Sequence, residues 1–226
     1  MPQKEMSMDI TSFPNSGPFP EHLNVRFINM WTRDSIHPAL FYRTGFESIF
    51  FNHDRQYALS CVLSSVVPVE KEIVIAGENH LDEVIAGAEQ FEIPNIVLDA
   101  TPDEIPLVKT FLTSRTNVSH LILVVGYDDD RIEKYIRHIR PVLDLNGIDL
   151  VLYCTASVER IHDRTNGGVD YMIGGWDESP DNSFVVARRN KLVQTEGNSR
   201  LFNYDLYASW QWSLRARETN IVPMEM

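Results

Sequence analysis

Asn52-His53-Asp54-Arg55-Gln56 puts an imidazole, a carboxylate, a guanidinium and two amides side by side where a helix is expected to open. The first backbone N–H groups of a helix are unpaired and its macrodipole is positive there, so such a turn is a ready anion site. Arg55 would strengthen it. Asp54 opposes it: at ~4 Å and an effective dielectric of ~20, a carboxylate and one phosphate charge repel by about 4 kcal/mol. The simpler role for Asp54 is that of N-cap. Asp128-Asp129-Asp130 invites a metal ion, but three consecutive carboxylates cannot all face one ion from a regular element. They precede an expected helix, and capping with dipole complementation accounts for them. The polar turn 176–182 carries Asp177, Glu178, Asp181 and Asn182 around Pro180. Glu178 could act there as a general base with His53 or Tyr153 as the acid, given suitably shifted pKa values. Alternatively, Arg55 or Arg200 could read a small anion.

Bringing these residues together requires a scaffold, and the apolar pattern supplies one. Strands are expected at 48–51, 72–76, 95–98, 121–125 and 149–154, separated by helices at 55–67, 81–91, 104–114 and 131–146. Further strands at 169–173, ended by Gly174 and Gly175, and at 183–187 flank the acidic turn. Arg188, Arg189 and Lys191 are placed on a following helix, and a last helix over 207–217 packs Trp210 and Trp212. Near-continuous apolar strands alternating with amphipathic helices define an α/β class: a doubly wound, mostly parallel sheet with helices on both faces. Ligands of such sheets sit outside the carboxyl ends of the strands. That rule selects the loops 52–56, 77–80, 126–130, 153–157 and 174–182.

The 226 residues, 43% hydrophobic and 10% aromatic, suffice for one well-packed domain and are few for two. Residues 1–24, rich in proline, serine and asparagine, are expected to form a flexible arm, and 25–226 a single domain. A net charge of -12 and a pI near 5.0 argue against a nucleic-acid or anionic-membrane surface. Cys61 and Cys154 lie inside apolar runs and are read as buried free thiols. No metal-ligand spacing, membrane-spanning apolar run or leader is visible, so a soluble cytoplasmic protein is expected.

Asp170-Tyr171-Met172-Ile173, Phe184-Val185-Val186-Ala187-Arg188-Arg189, Gly197-Asn198-Ser199-Arg200 and Asp205-Leu206-Tyr207 follow one another in a recognisable order. Their order and spacing resemble class V (fold type I) pyridoxal-phosphate-dependent aminotransferases, most closely the 2-aminoethylphosphonate:pyruvate transaminases. The resemblance covers most of residues 47–212. It implies the large domain of that fold, a site built across a dimer interface, and four groups that hold the cofactor. Glu178 falls where the family has its Schiff-base lysine. His53-Asp54-Arg55-Gln56 replaces the small-residue phosphate cup. In the turn after the second strand Gly77 is kept, but Asn79 stands in place of the stacking aromatic, with His80 beside it as a substitute ring or a solvated helix-start residue. In Leu152-Tyr153-Cys154-Thr155-Ala156-Ser157, Tyr153 takes the place of the acid that protonates the pyridine. The resemblance therefore implies a catalytically degenerate chain that lacks the C-terminal small domain. No cofactor is expected, and pyridoxal phosphate only if a lysine comes from elsewhere. The expected partners are a second copy or a full-length aminotransferase relative. A diverged transferase with a rebuilt pocket and a lone module for a small anionic ligand are the alternatives.

Overall fold

The computed structural model describes residues 45–77, 79–99, 104–126, 131–155, 168–176 and 179–219. The arm at 1–24, the aspartates 128–130, Ser157 and Glu178 lie outside the described residues. In chain order the elements are β1 (Phe46–Phe51), α1 (Arg55–Val66), β2 (Glu72–Gly77), α2 (Leu81–Gln90), β3 (Asn95–Asp99), α3 (Ile105–Thr113) and β4 (Val118–Val125). Then follow α4 (Arg131–Asn146), β5 (Asp149–Cys154), β6 (Tyr171–Trp176), β7 (Ser179–Arg188), α5 (Arg189–Val193), a 3-10 turn (Phe202–Tyr204) and α6 (Leu206–Thr219).

Among the described residues seven strands form one sheet in the order β1-β7-β6-β5-β4-β2-β3. β3, β2, β4, β5 and β6 pair in parallel, whereas β7 is antiparallel to both β6 and β1. β1 therefore runs with the parallel set, and the carboxyl ends of six strands face one edge, with the amino end of β7 among them. The expected doubly wound, mostly parallel sheet is the observed one.

Strands covered on both faces read as continuous apolar runs. In β5, Leu150, Leu152 and Cys154 join one core cluster, with α3 and α4 residues, while Val151 and Tyr153 join the other, with α1, α2 and α6 residues. Cys61 and Cys154 are buried and free, as read, and Trp210 is fully buried in the second cluster.

α1 is the axis of that second layer. Asp54 caps it, accepting from Tyr57 N at 2.9 Å. Every residue from 58 to 65 is buried. Leu59 and Leu63 are fully enclosed, worth roughly 1.5–3 kcal/mol each relative to exposure. Its buried serines bond outward instead of to water. Ser64 Oγ accepts from Arg200 N at 3.1 Å, and Ser65 Oγ accepts from Leu206 N at 2.9 Å while donating to Tyr204 O at 3.1 Å. The segment from Gly197 to Tyr207 is thereby tied to the helix.

Several expected boundaries move. β4 begins at Val118 instead of 121, because Ser119 and His120 continue the ladder despite their polarity. Gly174 and Gly175 do not end β6; they pair with Phe184 and Ser183, and Trp176 pairs with Ser179 across a register shift. Residues 179–182 of the expected turn thus belong to β7, and Pro180 is tolerated beside the irregularity, beyond the last β1 partner. Arg188 ends β7, and α5 starts one residue later.

Candidate functional site

At the carboxyl edge of the sheet the site is built around α1's first turn. Arg55 leans from that turn across the ends of the central strands. Its Nη1 donates to Cys154 O at 3.1 Å and also to Thr155 O. Its aliphatic stem lies on Gly175: a Cβ added there would stand 2.9 Å from Arg55 Cγ and 3.1 Å from Cδ. The missing side chain at Gly175 makes room for the arginine.

Tyr153, fully buried near the end of β5, donates its hydroxyl to Glu83 Oε2 in the first turn of α2. Burial and the adjacent Glu83 carboxylate push the Tyr153 phenol well above its usual range. Burial also pushes the Cys154 thiol up, to about 12, with Arg55 pulling against it. Glu83 is shared, since its Oε1 lies 3.5 Å from His80 Nδ1. His80 adopts a left-handed backbone (φ 57°), uncommon for a residue with a Cβ, as the N-cap of α2. Tyr153, Glu83 and His80 thus form a chain from the core to an exposed imidazole.

The other expected residues are distributed as follows. Gln56 Nε2 donates to Glu83 O at 3.0 Å. His53 is exposed and stacks on Tyr57, ring centroids 4.4 Å apart. Asn79 is exposed beside His80. Gly77 is required by close packing: a Cβ there would meet Val124 O at 2.8 Å. Arg200 lies at the opposite end of the sheet, where it donates to Phe91 O, Val67 O and Pro68 O at 3.2 to 3.3 Å. The structure thus brings Arg55, Gln56, Tyr153 and His80 together through Glu83 and the β5 carbonyls, and leaves Arg200 apart. Glu83, Thr155 and Gly175 were not singled out in the sequence. The rule of strand carboxyl ends selects the loops that hold Thr155 and Gly175 without giving either a role, and the spacing of His80 and Glu83, three apart at a helix start, could have pointed to Glu83.

The opposite edge holds a charge clasp made from the recognisable strings. Asp170, 2% exposed, meets Arg140 Nη1 at 2.6 Å and Arg188 Nε at 3.1 Å, and accepts from Leu150 N at 2.9 Å. Nearby, Lys191 Nζ donates to Asp149 at 2.6 Å, and buried His120 lies 3.9 Å from the same carboxylate. Asp170 and Arg188 therefore join α4, β5, β6 and β7. Among the described residues no group of three or more His, Cys, Asp or Glu side chains is arranged to hold a metal, and no helix is long and apolar enough to cross a membrane.

No protein-family model matches the chain. Curated proteins similar to it include 2-aminoethylphosphonate–pyruvate transaminases. The one from Bacteroides fragilis is 20% identical over 200 residues, covering 84% of this chain and 55% of that protein. The one from Salmonella typhimurium is 24% identical over 177 residues, covering 74% and 48%. The chain thus spans about half the length of the curated relatives it matches. Among solved structures, pyridoxamine-pyruvate aminotransferase from Mesorhizobium loti superimposes with a TM-score of 0.56 at 9% identity, over 87% of this chain and 53% of that one. Ureidoglycine-glyoxylate aminotransferase from Bacillus subtilis gives 0.51 at 11% identity, over 91% and 62%. The chain resembles the 2-aminoethylphosphonate–pyruvate transaminases in sequence and has the fold of the class V pyridoxal-phosphate-dependent aminotransferases.

Proposed function

We propose that this chain is a non-catalytic, aminotransferase-like binding or regulatory subunit that pairs with itself or with a complete aminotransferase relative. The observation that carries the reading is that no lysine occurs between Lys134 and Lys191, the interval that supplies β5, β6, β7 and the hairpin joining the last two. A solved neighbour of this fold, serine palmitoyltransferase, holds pyridoxal phosphate as an internal aldimine, a bond that needs a protein amine. Glu178 offers a carboxylate, which cannot form an imine. Lys191 is engaged with Asp149 at the other edge of the sheet, and Lys71 precedes β2 at that same edge.

The residues at the carboxyl edge do not fit the cofactor either. Asp54 already caps the Tyr57 N–H in the turn where a phosphate would dock, and adds a negative charge there. Tyr153 is a neutral phenol whose hydroxyl donates to Glu83 and whose pKa is pushed up, so it cannot do a carboxylate's work of keeping a pyridine nitrogen protonated. Arg55 lies over Gly175 and is bonded to the β5 carbonyls, which fills the crevice with the chain's own side chain. The same raised Tyr153 phenol is a weak proton donor, which disfavours a rebuilt acid–base site that uses it with Glu178.

The test is an aminotransfer assay with the purified chain, excess pyridoxal phosphate, 2-aminoethylphosphonate and pyruvate, alongside light scattering of the same sample. Alanine formation no faster than with free cofactor, and a mass of two chains or more, are the expected results. Turnover by the chain alone would overturn the reading.

A further inference from the structure

The two edges of the sheet differ. At one, β1 is enclosed: Ser48, Ile49, Phe50 and Phe51 are buried, and α6 packs against the strand. At the other, β3 pairs with β2 alone among the described residues. Ile96 and Leu98 are half-buried there, and Val97 is 40% exposed. An edge strand is ordinarily blunted by a lysine, a proline, a bulge or a covering element. Ile96-Val97-Leu98 holds no charge and no proline, and the register of β2 with β3 runs without a shift.

The ladder fixes which main-chain groups face outward. Ile73 N donates to Pro94 O at 3.0 Å, and in a parallel pair alternate residues turn both of their main-chain groups to the same neighbour. Ile96 and Leu98 therefore bond to β2, while Asn95, Val97 and Asp99 present N–H and C=O away from it. A two-fold axis at Val97 brings an antiparallel β3 of a second copy alongside, with Val97 opposite its own counterpart and Asn95 opposite Asp99. Each is a hydrogen-bonded pair that exchanges both bonds, so every outward group of the strand finds a partner. A slip of one residue would set outward groups against residues already bonded to β2. The side chains match as well. Ile96 and Leu98 align with Val74 and Ala76 of the first core cluster, against which Leu98 packs, and stand opposite each other across the axis. Val97 aligns with Ile75 of the second cluster and meets its own copy. Both cores thus continue from one chain into the next.

We propose that β3 is a self-pairing edge, at which two copies of this chain join their sheets antiparallel about Val97. The contact is isologous, so assembly through it stops at two chains. The inference rests on the self-pairing half of the proposed function and is independent of the loss of cofactor chemistry.

The experiment is sedimentation equilibrium of the full chain, with amide hydrogen exchange of β3 followed over the same concentrations. The parent protein forms dimers, and the outward amides of Asn95 and Val97 exchange more slowly as dimer accumulates. Val97→Pro removes an outward N–H and spares the bonds to β2. Val97→Lys sets two ammonium groups against each other across the axis. Each weakens dimerisation by about tenfold or more. Melting curves recorded in parallel separate lost pairing from lost fold, and Val97→Lys decides the matter if the proline variant unfolds. Phe202→Ser, at a side chain 91% exposed elsewhere on the surface, leaves dimerisation unchanged. Dimers that persist undiminished in Val97→Lys, or that dissociate in Phe202→Ser, would overturn this inference and leave self-pairing standing. A parent protein that stays monomeric would overturn both. Edge amides protected equally at every concentration would mean that something other than a second copy covers β3, and would overturn the inference alone.

Discussion

Arg55 Nη1 donates to the carbonyl oxygen of Cys154 at 3.1 Å, so one guanidinium joins the first turn of α1 to the carboxyl end of β5 across 99 residues of chain. A charged donor on otherwise terminal strand carbonyls is worth about 1.5–3 kcal/mol. Arg55→Met keeps the stem and deletes the charge. It is expected to lower the free energy of unfolding by about that amount, measured as a reduced urea midpoint at constant slope.

Gly175→Ala would push a methyl group to 2.9 Å from Arg55 Cγ and 3.2 Å from Asn182 O. Overpacking of this kind costs about 1–3 kcal/mol. Because the main clash is with a side chain, combining it with Arg55→Ala should cost less than the sum of the two single variants. A double-mutant cycle by chemical denaturation reads the difference; strict additivity would mean that Arg55 does not rest on Gly175.

Asp170→Ala is expected to be the most damaging of these substitutions, by about 3–5 kcal/mol, because it leaves the Arg140 and Arg188 guanidinium groups facing one another without their shared carboxylate. Thermal unfolding monitored by circular dichroism would show it. A loss within the range of an ordinary surface substitution would contradict the placement of Asp170 as the clasp.

His120 carries a pH dependence. Burial, and then the charge of Lys191, lower its pKa to about 4 from an ordinary value near 6.5, with Asp170 opposing. Asp149 faces the imidazole at 3.9 Å, and Tyr171 stands beside it. In the window between the two pKa values the unfolded chain binds a proton that the folded chain refuses. Stability is therefore full above about pH 6.5 and declines as the pH falls toward 4. His120→Asn should flatten the urea midpoint over that window relative to the parent protein. Parallel curves would contradict the burial of a neutral imidazole.

Much of the scaffold was legible because it is local. α4 and β5 fall on their expected boundaries: a 3.6-residue stripe and a continuous apolar run need no distant partner to be recognised. The hairpin of β6 and β7 was misjudged because two glycines and a proline signal a break, while the ladder that carries the strands through them is set by pairing with Phe184 and Ser183. The start of β4 was missed for the same reason, since His120 looks like loop until its burial between β2 and β5 is known. At the site, the N-cap role of Asp54 followed from its position before a helix. The contacts of Arg55 with Cys154 and Tyr153 with Glu83 span 99 and 70 residues, and no local pattern encodes them. The ties of Arg200 to the end of α1 were hidden in the same way.

The most direct measurement is a spectral titration of the purified chain with pyridoxal phosphate, followed by borohydride reduction and intact-mass analysis. The expected result is no aldimine absorbance beyond that of surface lysines and no stoichiometric reduced adduct. A single adduct at one defined lysine, formed at one equivalent of cofactor, would contradict it.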